Sequence, residues 1–162
     1  MDLILVNSYG RQLYEDKESY VRKHFQVKEL ANLSGDKSLP MLSYTDYSNE
    51  FYDMLEEFRC WFNKPMKISS NYRQVAFNSK VGGDKRSAHL YGCAVDWVIE
   101  GHTKEQRQNV TAKWEAICKA HNVIGAINYY SKGYHLEAFS DQWYGNKVFK
   151  IRDYIGTSND WK

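Results

Sequence analysis

The chain has 162 residues, 43% apolar and 26% charged, proportions that fit one soluble domain around a single core. A net charge of +2 without a clustered basic stripe argues against a nucleic-acid partner, and no stretch reaches the ~20 apolar residues of a membrane span. The cysteines Cys60, Cys93 and Cys118 are odd in number and widely spaced, which excludes a disulfide framework and a zinc knuckle.

Residues 1–23 are polar with scattered tyrosines and read as an arm or an edge strand. The start, Met1–Asn7, lacks a basic region and its apolar run is too short for a signal peptide, so a protein made and folded in the reducing cytoplasm is expected. Residues 31–43, with Gly35 and Pro40, read as loop. From about 45 to 63, Phe51, Leu55, Phe58 and Phe62 recur at helical spacing, and Pro65 follows. Met66–Ser70 is a short strand, and residues 74–81 a short helix closed by Gly82-Gly83. Ala94–Ile99 is an apolar strand. Thr103-x-x-Gln106 forms a capping box that opens a helix with Val110, Trp114, Ile117 and Cys118 on its apolar face. Two strands, 123–130 and 134–139, are joined through Ser131-Lys132-Gly133 as a hairpin. Cys60 and Cys118 are expected on apolar helix faces and Cys93 in packing. The aromatic, basic tail 140–162 is expected to wrap the core of a single domain spanning 1–162. Helices on one face of a small, mostly antiparallel sheet make the expected fold class α+β.

One residue breaks the apolar pattern. Asp96 lies inside the strand Ala94–Ile99, where an unpaired carboxylate costs several kcal/mol or changes its protonation state. His89 precedes it by seven positions across a Gly92 turn, and His135 lies in a second strand. Two imidazoles and one carboxylate, with a fourth position for water, is the ligand set of a catalytic zinc. Taken residue by residue, satisfied core histidines and a strand-end aspartate bonded to a backbone amide fit equally well. His24, His102 and His121 lack comparable context and are expected at the surface, His121 favoured by the helix dipole.

Ser87-x-His89-x-x-Gly92-x-Ala94-x-Asp96 resembles the S-x-H-x-x-G-x-A-x-D signature of the zinc D-Ala-D-Ala carboxypeptidases and related peptidoglycan endopeptidases. That group shares its fold with hedgehog signalling domains. Ile68-Ser69-Ser70-Asn71-Tyr72-Arg73-x4-Asn78 resembles the group's S-G-Y-R-x4-N block, with Asn71 at the usual glycine. Phe25-x-Val27-x-Glu29-Leu30 resembles its opening F-x-V-x-E-L segment, and Gly125–Tyr130 with Tyr134–Glu137 its closing strands. The resemblance covers residues 24–139 with the motifs in the group's order.

The resemblance implies Zn2+ held by His89, Asp96 and His135, with Arg73 catalytic and in contact with substrate. Ser87, Gln74 and Asn78 follow as further substrate contacts. Many relatives carry the general base as E-x-x-H, where this chain has Lys132, and Tyr134 replaces the usual tryptophan. Other branches place an acid two positions after the histidine, which makes Glu137 the candidate base: strand positions i and i+2 share a face.

The activity implied is hydrolysis of a peptidoglycan stem-peptide bond by a monomeric enzyme, of the endolysin kind or as a D,D-carboxypeptidase. Without a leader, such a protein reaches the wall after lysis, through a holin-type route or on a virus particle, which suggests a phage origin. The missing E-x-x-H glutamate leaves a catalytically silent, zinc-containing binding or structural protein as the alternative. A non-haem iron oxygenase shares the ligand set, but its ligand pair is spaced H-x-D or H-x-E and it has no place for Tyr72-Arg73.

Overall fold

The computed structural model describes residues 3–8, 11–31, 41–73 and 75–155. At the N-terminus, β1 (Leu3–Ser8) and β2 (Arg11–Asp16) pair antiparallel, and β3 (Tyr20–Arg22) pairs with β4 (Phe25–Gln26) ahead of the one-turn helix α1 (Val27–Leu30). β5 (Met41–Tyr44) then runs parallel to β1 and completes a three-stranded sheet in the order β2-β1-β5. Two expectations change here: residues 3–22 supply three strands rather than one arm or edge, and the expected loop 31–43 ends in a strand. Fully buried Leu42 and Val6 explain the pairing, because both close one side of the core. Residues 32–40 of that expected loop lie outside the described residues.

Helix α2 (Asp46–Phe62) begins at Thr45, whose side chain accepts the Ser48 N–H, and ends at Asn63 in the left-handed region. Its buried stripe is Phe51, Leu55 and Phe58, the spacing seen in the sequence. β6 (Lys67–Ser70) and α3 (Val75–Lys80) follow, then a single 3-10 turn, Ala88–Tyr91, leading into β7 (Ala94–Val98). The Thr103–Gln106 capping box opens α4 (Lys104–Ala120) with both reciprocal hydrogen bonds made. β8 (Ala126–Tyr130) and β9 (Gly133–Glu137) form the expected hairpin. Gly133 is required there: its φ is +151°, and a Cβ would lie 1.9 Å from the Trp97 carbonyl oxygen. The described part of the tail forms α5 (Ser140–Tyr144) and β10 (Lys150–Asp153).

The second sheet has five strands in the order β10-β8-β9-β7-β6, antiparallel except for β10 beside β8. The fold class is α+β. Alternation along the strands separates two faces. Val95, Trp97, Tyr134, Leu136, Ile127 and Tyr129 form the buried face under α2 and α4. There Phe58 meets Trp97 edge-on at 5.6 Å, Phe51 meets Trp114 at 5.9 Å, and Trp97 stacks on Tyr134 at 5.0 Å. The opposite face carries Asp96, His135, Glu137 and Asn128. Cys93 and Cys118 are buried, but Cys60 is exposed, a correction to its expected place on an apolar face. No helix among the described residues is long and apolar enough to cross a membrane.

Candidate metal centre

Strand register brings the centre together. Asp96 on β7 stands directly opposite His135 on β9, so both side chains project from one face. His89 arrives from the 3-10 turn, where its own amide is capped by the Ser87 hydroxyl at 3.2 Å. Gly92 ends the turn at φ +70°, and a Cβ there would press on Ser43, Ser48 and Tyr52 at 3.2–3.3 Å. Glycine therefore fixes the reversal that returns the chain to β7.

Asp96 Oδ1 lies 3.2 Å from His89 Nε2 and 3.1 Å from His135 Nδ1, and one ligand-type atom from each residue falls within 4.8 Å of the others. Bonds of about 2.0–2.1 Å to a tetrahedral ion give edges of about 3.3 Å between donor atoms. The cluster has the donor set of a zinc site, and its two edges at Asp96 have the length zinc requires. Behind each imidazole an acceptor holds the remote nitrogen. His89 Nδ1 donates to the Asn71 carbonyl at 2.6 Å, and His135 Nε2 to Glu137 Oε1 at 2.8 Å. These bonds select the tautomers that leave Nε2 of His89 and Nδ1 of His135 to face Asp96.

The electrostatics follow from the same contacts. Burial lowers the His89 pKa and keeps the ring neutral. Burial also opposes charge on His135, but hydrogen bonds to Asp96 and Glu137 outweigh it and raise the pKa to about 9. On Asp96 burial is likewise outweighed, by His89 and His135, which hold the carboxyl well below its usual range. An imidazolium between two carboxylates does for the charge balance what a cation at the same place would do.

The remaining predicted residues fall around this cluster. Arg73 Nη2 pairs with Asp96 Oδ2 at 3.0 Å, Nε reaches Ser70 Oγ at 3.2 Å, and Nη1 reaches Asn78 Oδ1 at 3.4 Å. Ser87 and Arg73 both line a cleft of about 650 Å³ that opens over the ligands. Asn78 is buried and divides its amide between Arg73 and the Asp84 carbonyl, so it holds Arg73 instead of facing substrate. Gln74 lies outside the described residues.

Glu137 shares the ligand face, as alternation requires, but is only 1% exposed. It lies opposite Ala94 and Ala126, whose small side chains leave room for a buried carboxylate. Oε1 takes His135 Nε2 and, at 3.3 Å, Arg152 Nη1, while Oε2 takes the Ser140 hydroxyl at 2.5 Å. Burial raises its pKa, but His135 and the other donors outweigh that and hold it at about 2. Its carboxylate therefore stands behind His135, a correction to its expected position facing the metal.

The sequence reading missed several groups. Asn71, noted only as a departure from glycine, is fully buried. Its Nδ2 donates to the Gly92 and Ala94 carbonyls at 3.1 and 2.7 Å, and its Oδ1 accepts the Tyr52 hydroxyl at 2.9 Å. Asn71→Ala removes the donor to two buried carbonyls, while the Tyr52 hydroxyl keeps the Ser43 carbonyl at 3.0 Å, and should cost about 2–3 kcal/mol in urea unfolding; a loss below about 0.5 kcal/mol contradicts this role. Asp84, Asn128, Tyr130, Tyr144, Arg152 and Tyr154 also line the cleft, and no local pattern marks them.

The other three histidines are paired rather than free at the surface. His102 Nδ1 lies 2.6 Å from the Tyr134 hydroxyl, and His121, at the end of α4, meets Glu50 and Glu57 at 3.2 and 2.7 Å. His24, Glu56 and Cys60 form a second ligand-type grouping. Its contacts close on themselves: Glu56 Oε1 accepts the His24 backbone N–H at 2.8 Å, and Oε2 meets His24 Nδ1 at 2.5 Å and the Cys60 thiol at 3.2 Å. They tie the β3–β4 turn to α2.

No curated protein matches this chain. A sequence profile described as peptidase M15 matches residues 23–135, a span that holds the three ligand-type residues, Arg73 and Ser87. On that match over most of its length, the chain belongs to the peptidase M15 family.

Proposed function

We propose that the chain is a zinc metallopeptidase that hydrolyses an amide bond in peptidoglycan stem peptides, an endopeptidase of the endolysin kind before a D,D-carboxypeptidase. The observation that carries this reading is the His89–Asp96–His135 cluster at the base of an open cleft, with an orienting acceptor behind each imidazole. Zinc bound there supplies a Lewis acid for the scissile carbonyl and a water acidified toward neutrality.

The chain's own residues do the rest. Arg73, beside Asp96, presents positive charge where negative charge grows on the carbonyl oxygen. Ser87 accepts the His89 N–H, which leaves its O–H to donate to a substrate carbonyl. Glu137, buried behind His135 with its oxygens taken by His135 Nε2, Arg152 and Ser140, acts as the positioning residue for His135. Asp84, on the loop lining the cleft, is the carboxylate there that is neither a ligand nor buried; it is the candidate to take the water's proton.

The test is mass spectrometry of fragments released from peptidoglycan by zinc-loaded protein beside a chelated control. Chelator-sensitive release is expected, and the fragment masses identify the bond. The silent reading draws support from Lys132, exposed at the family's glutamate position. Zinc retained with no fragments from walls of several chemotypes would establish that reading in place of this one.

Zinc uptake must displace the His135 proton. In the metal-free protein that imidazolium contributes stability fully present below about pH 6.5 and lost as pH rises through about 9. Zinc affinity should therefore tighten by about tenfold per pH unit across this window, with about one proton released. Calorimetry in buffers of different ionisation enthalpy measures both; an affinity flat in pH contradicts the assignment.

A further inference from the structure

The metal cluster is the middle of a longer polar row. Directly opposed residues run Ser70, Asp96, His135, Asn128, Arg152 across β6, β7, β9, β8 and β10. Opposed residues project from one face, so Arg152 stands on the ligand face two strands beyond His135, about 10 Å at ordinary strand spacing. It also lies beyond residues 23–135, the span shared with the family.

Two arginines line the cleft, and they differ in what they have left to offer. All three nitrogens of Arg73 have protein acceptors. Arg152 uses only Nη1, which donates to Asn128 Oδ1 at 3.1 Å and Glu137 Oε1 at 3.3 Å. Among the described residues its Nε and Nη2 have no acceptor. The guanidinium is also packed over the Tyr144 ring at 5.6 Å, and its side chain is 29% exposed. A guanidinium fixed along one edge and open along the other suits two-point capture of a carboxylate.

The surroundings agree with an anionic ligand. The cleft's arginines face three carboxylates, Asp84, Asp96 and Glu137, so a bound dication turns the net sign positive. Tyr130 and Tyr154 stack at 5.2 Å on the same cleft wall, both substantially exposed, and offer an apolar surface beside the guanidinium.

We propose that Arg152 binds a free carboxylate of the substrate peptide close to the scissile bond, which makes the site selective for acidic stem peptides. A γ-linked glutamate, whose α-carboxylate is left free, has this chemistry; its amidated form does not. The inference rests on the peptidase reading above.

The experiment compares stem peptides that differ only as α-carboxylate or α-carboxamide, on zinc-loaded wild type, Arg152→Gln and Arg152→Ala. Wild type should favour the carboxylate by about 10- to 100-fold in kcat/KM, chiefly through KM. Both variants should lose that preference by weakening only toward the carboxylate peptide. Arg152→Gln keeps a donor for Asn128 and Glu137, and zinc content is measured for each protein to register damage to His135. No preference in wild type, or an equal loss on both peptides, overturns the proposal. Calorimetric binding of the same pair with the scissile bond N-methylated separates the two readings. Tighter binding of the carboxylate form without any hydrolysis sinks the peptidase reading and keeps the subsite. Equal binding sinks the subsite.

Discussion

Asp96→Asn should abolish stoichiometric zinc binding at micromolar metal and, with it, peptide hydrolysis. The substitution preserves shape but removes the charge that both imidazoles and Arg73 face, at 3.2, 3.1 and 3.0 Å. A neutral amide is a poor zinc ligand beside a carboxylate. The loss should exceed the 10- to 100-fold that removal of an orienting partner costs. His89→Ala and His135→Ala should behave alike, whereas His102→Ala, whose ring bonds the Tyr134 hydroxyl, should leave zinc stoichiometry at one. Metal content by elemental analysis, with circular dichroism to verify folding, reads the result. Full zinc occupancy in Asp96→Asn would remove that residue from the ligand set.

Glu137→Gln should weaken zinc binding by about 10- to 100-fold while kcat at saturating zinc stays within about tenfold of wild type. The amide can still accept from His135 Nε2 but no longer makes that ring a more basic ligand, and Arg152 and the Ser140 hydroxyl lose their charged acceptor. A general base would behave differently: its loss costs about 10²- to 10⁴-fold in rate with the metal fully bound. Measuring hydrolysis across a zinc titration separates an affinity defect from a rate defect. A fall of about a hundredfold or more at saturation would return Glu137 to the role of base.

The readable parts of the chain were those whose signal is local. The 3.6-residue stripe Phe51, Leu55, Phe58, the Thr103–Gln106 capping box and the β8–β9 hairpin all came through because neighbours in sequence decide them. Asp96 was legible for another reason: a carboxylate in an apolar strand demands a partner. Beyond His135, its partners across the sheet were not legible. Ser70, Asn128 and Arg152 join its row only through the strand order β10-β8-β9-β7-β6, which no local pattern encodes. The β1–β5 pairing was hidden for the same reason, since it joins residues 5–8 to residues 41–44.

Glu137 marks the limit of strand alternation as a guide. The period of two assigned it to the ligand face correctly, but depth along that face is set elsewhere. Ala94 and Ala126 opposite it, and Ser140 just beyond the strand, draw the carboxylate under His135 and out of the cleft's open water. Cys60 shows a different failure: it lies off the Phe51, Leu55, Phe58 repeat of α2, two positions beyond Phe58, and faces Glu56 and solvent.

The proposed hydrolysis depends on one metal ion held by His89, Asp96 and His135. The most direct measurement is a zinc titration of metal-free protein while stem-peptide fragments are counted by mass spectrometry. Release should rise in proportion to zinc and break at one equivalent, with Asp96→Asn silent throughout. Release that proceeds at full rate in metal-free protein, or that Asp96→Asn reproduces, would contradict it.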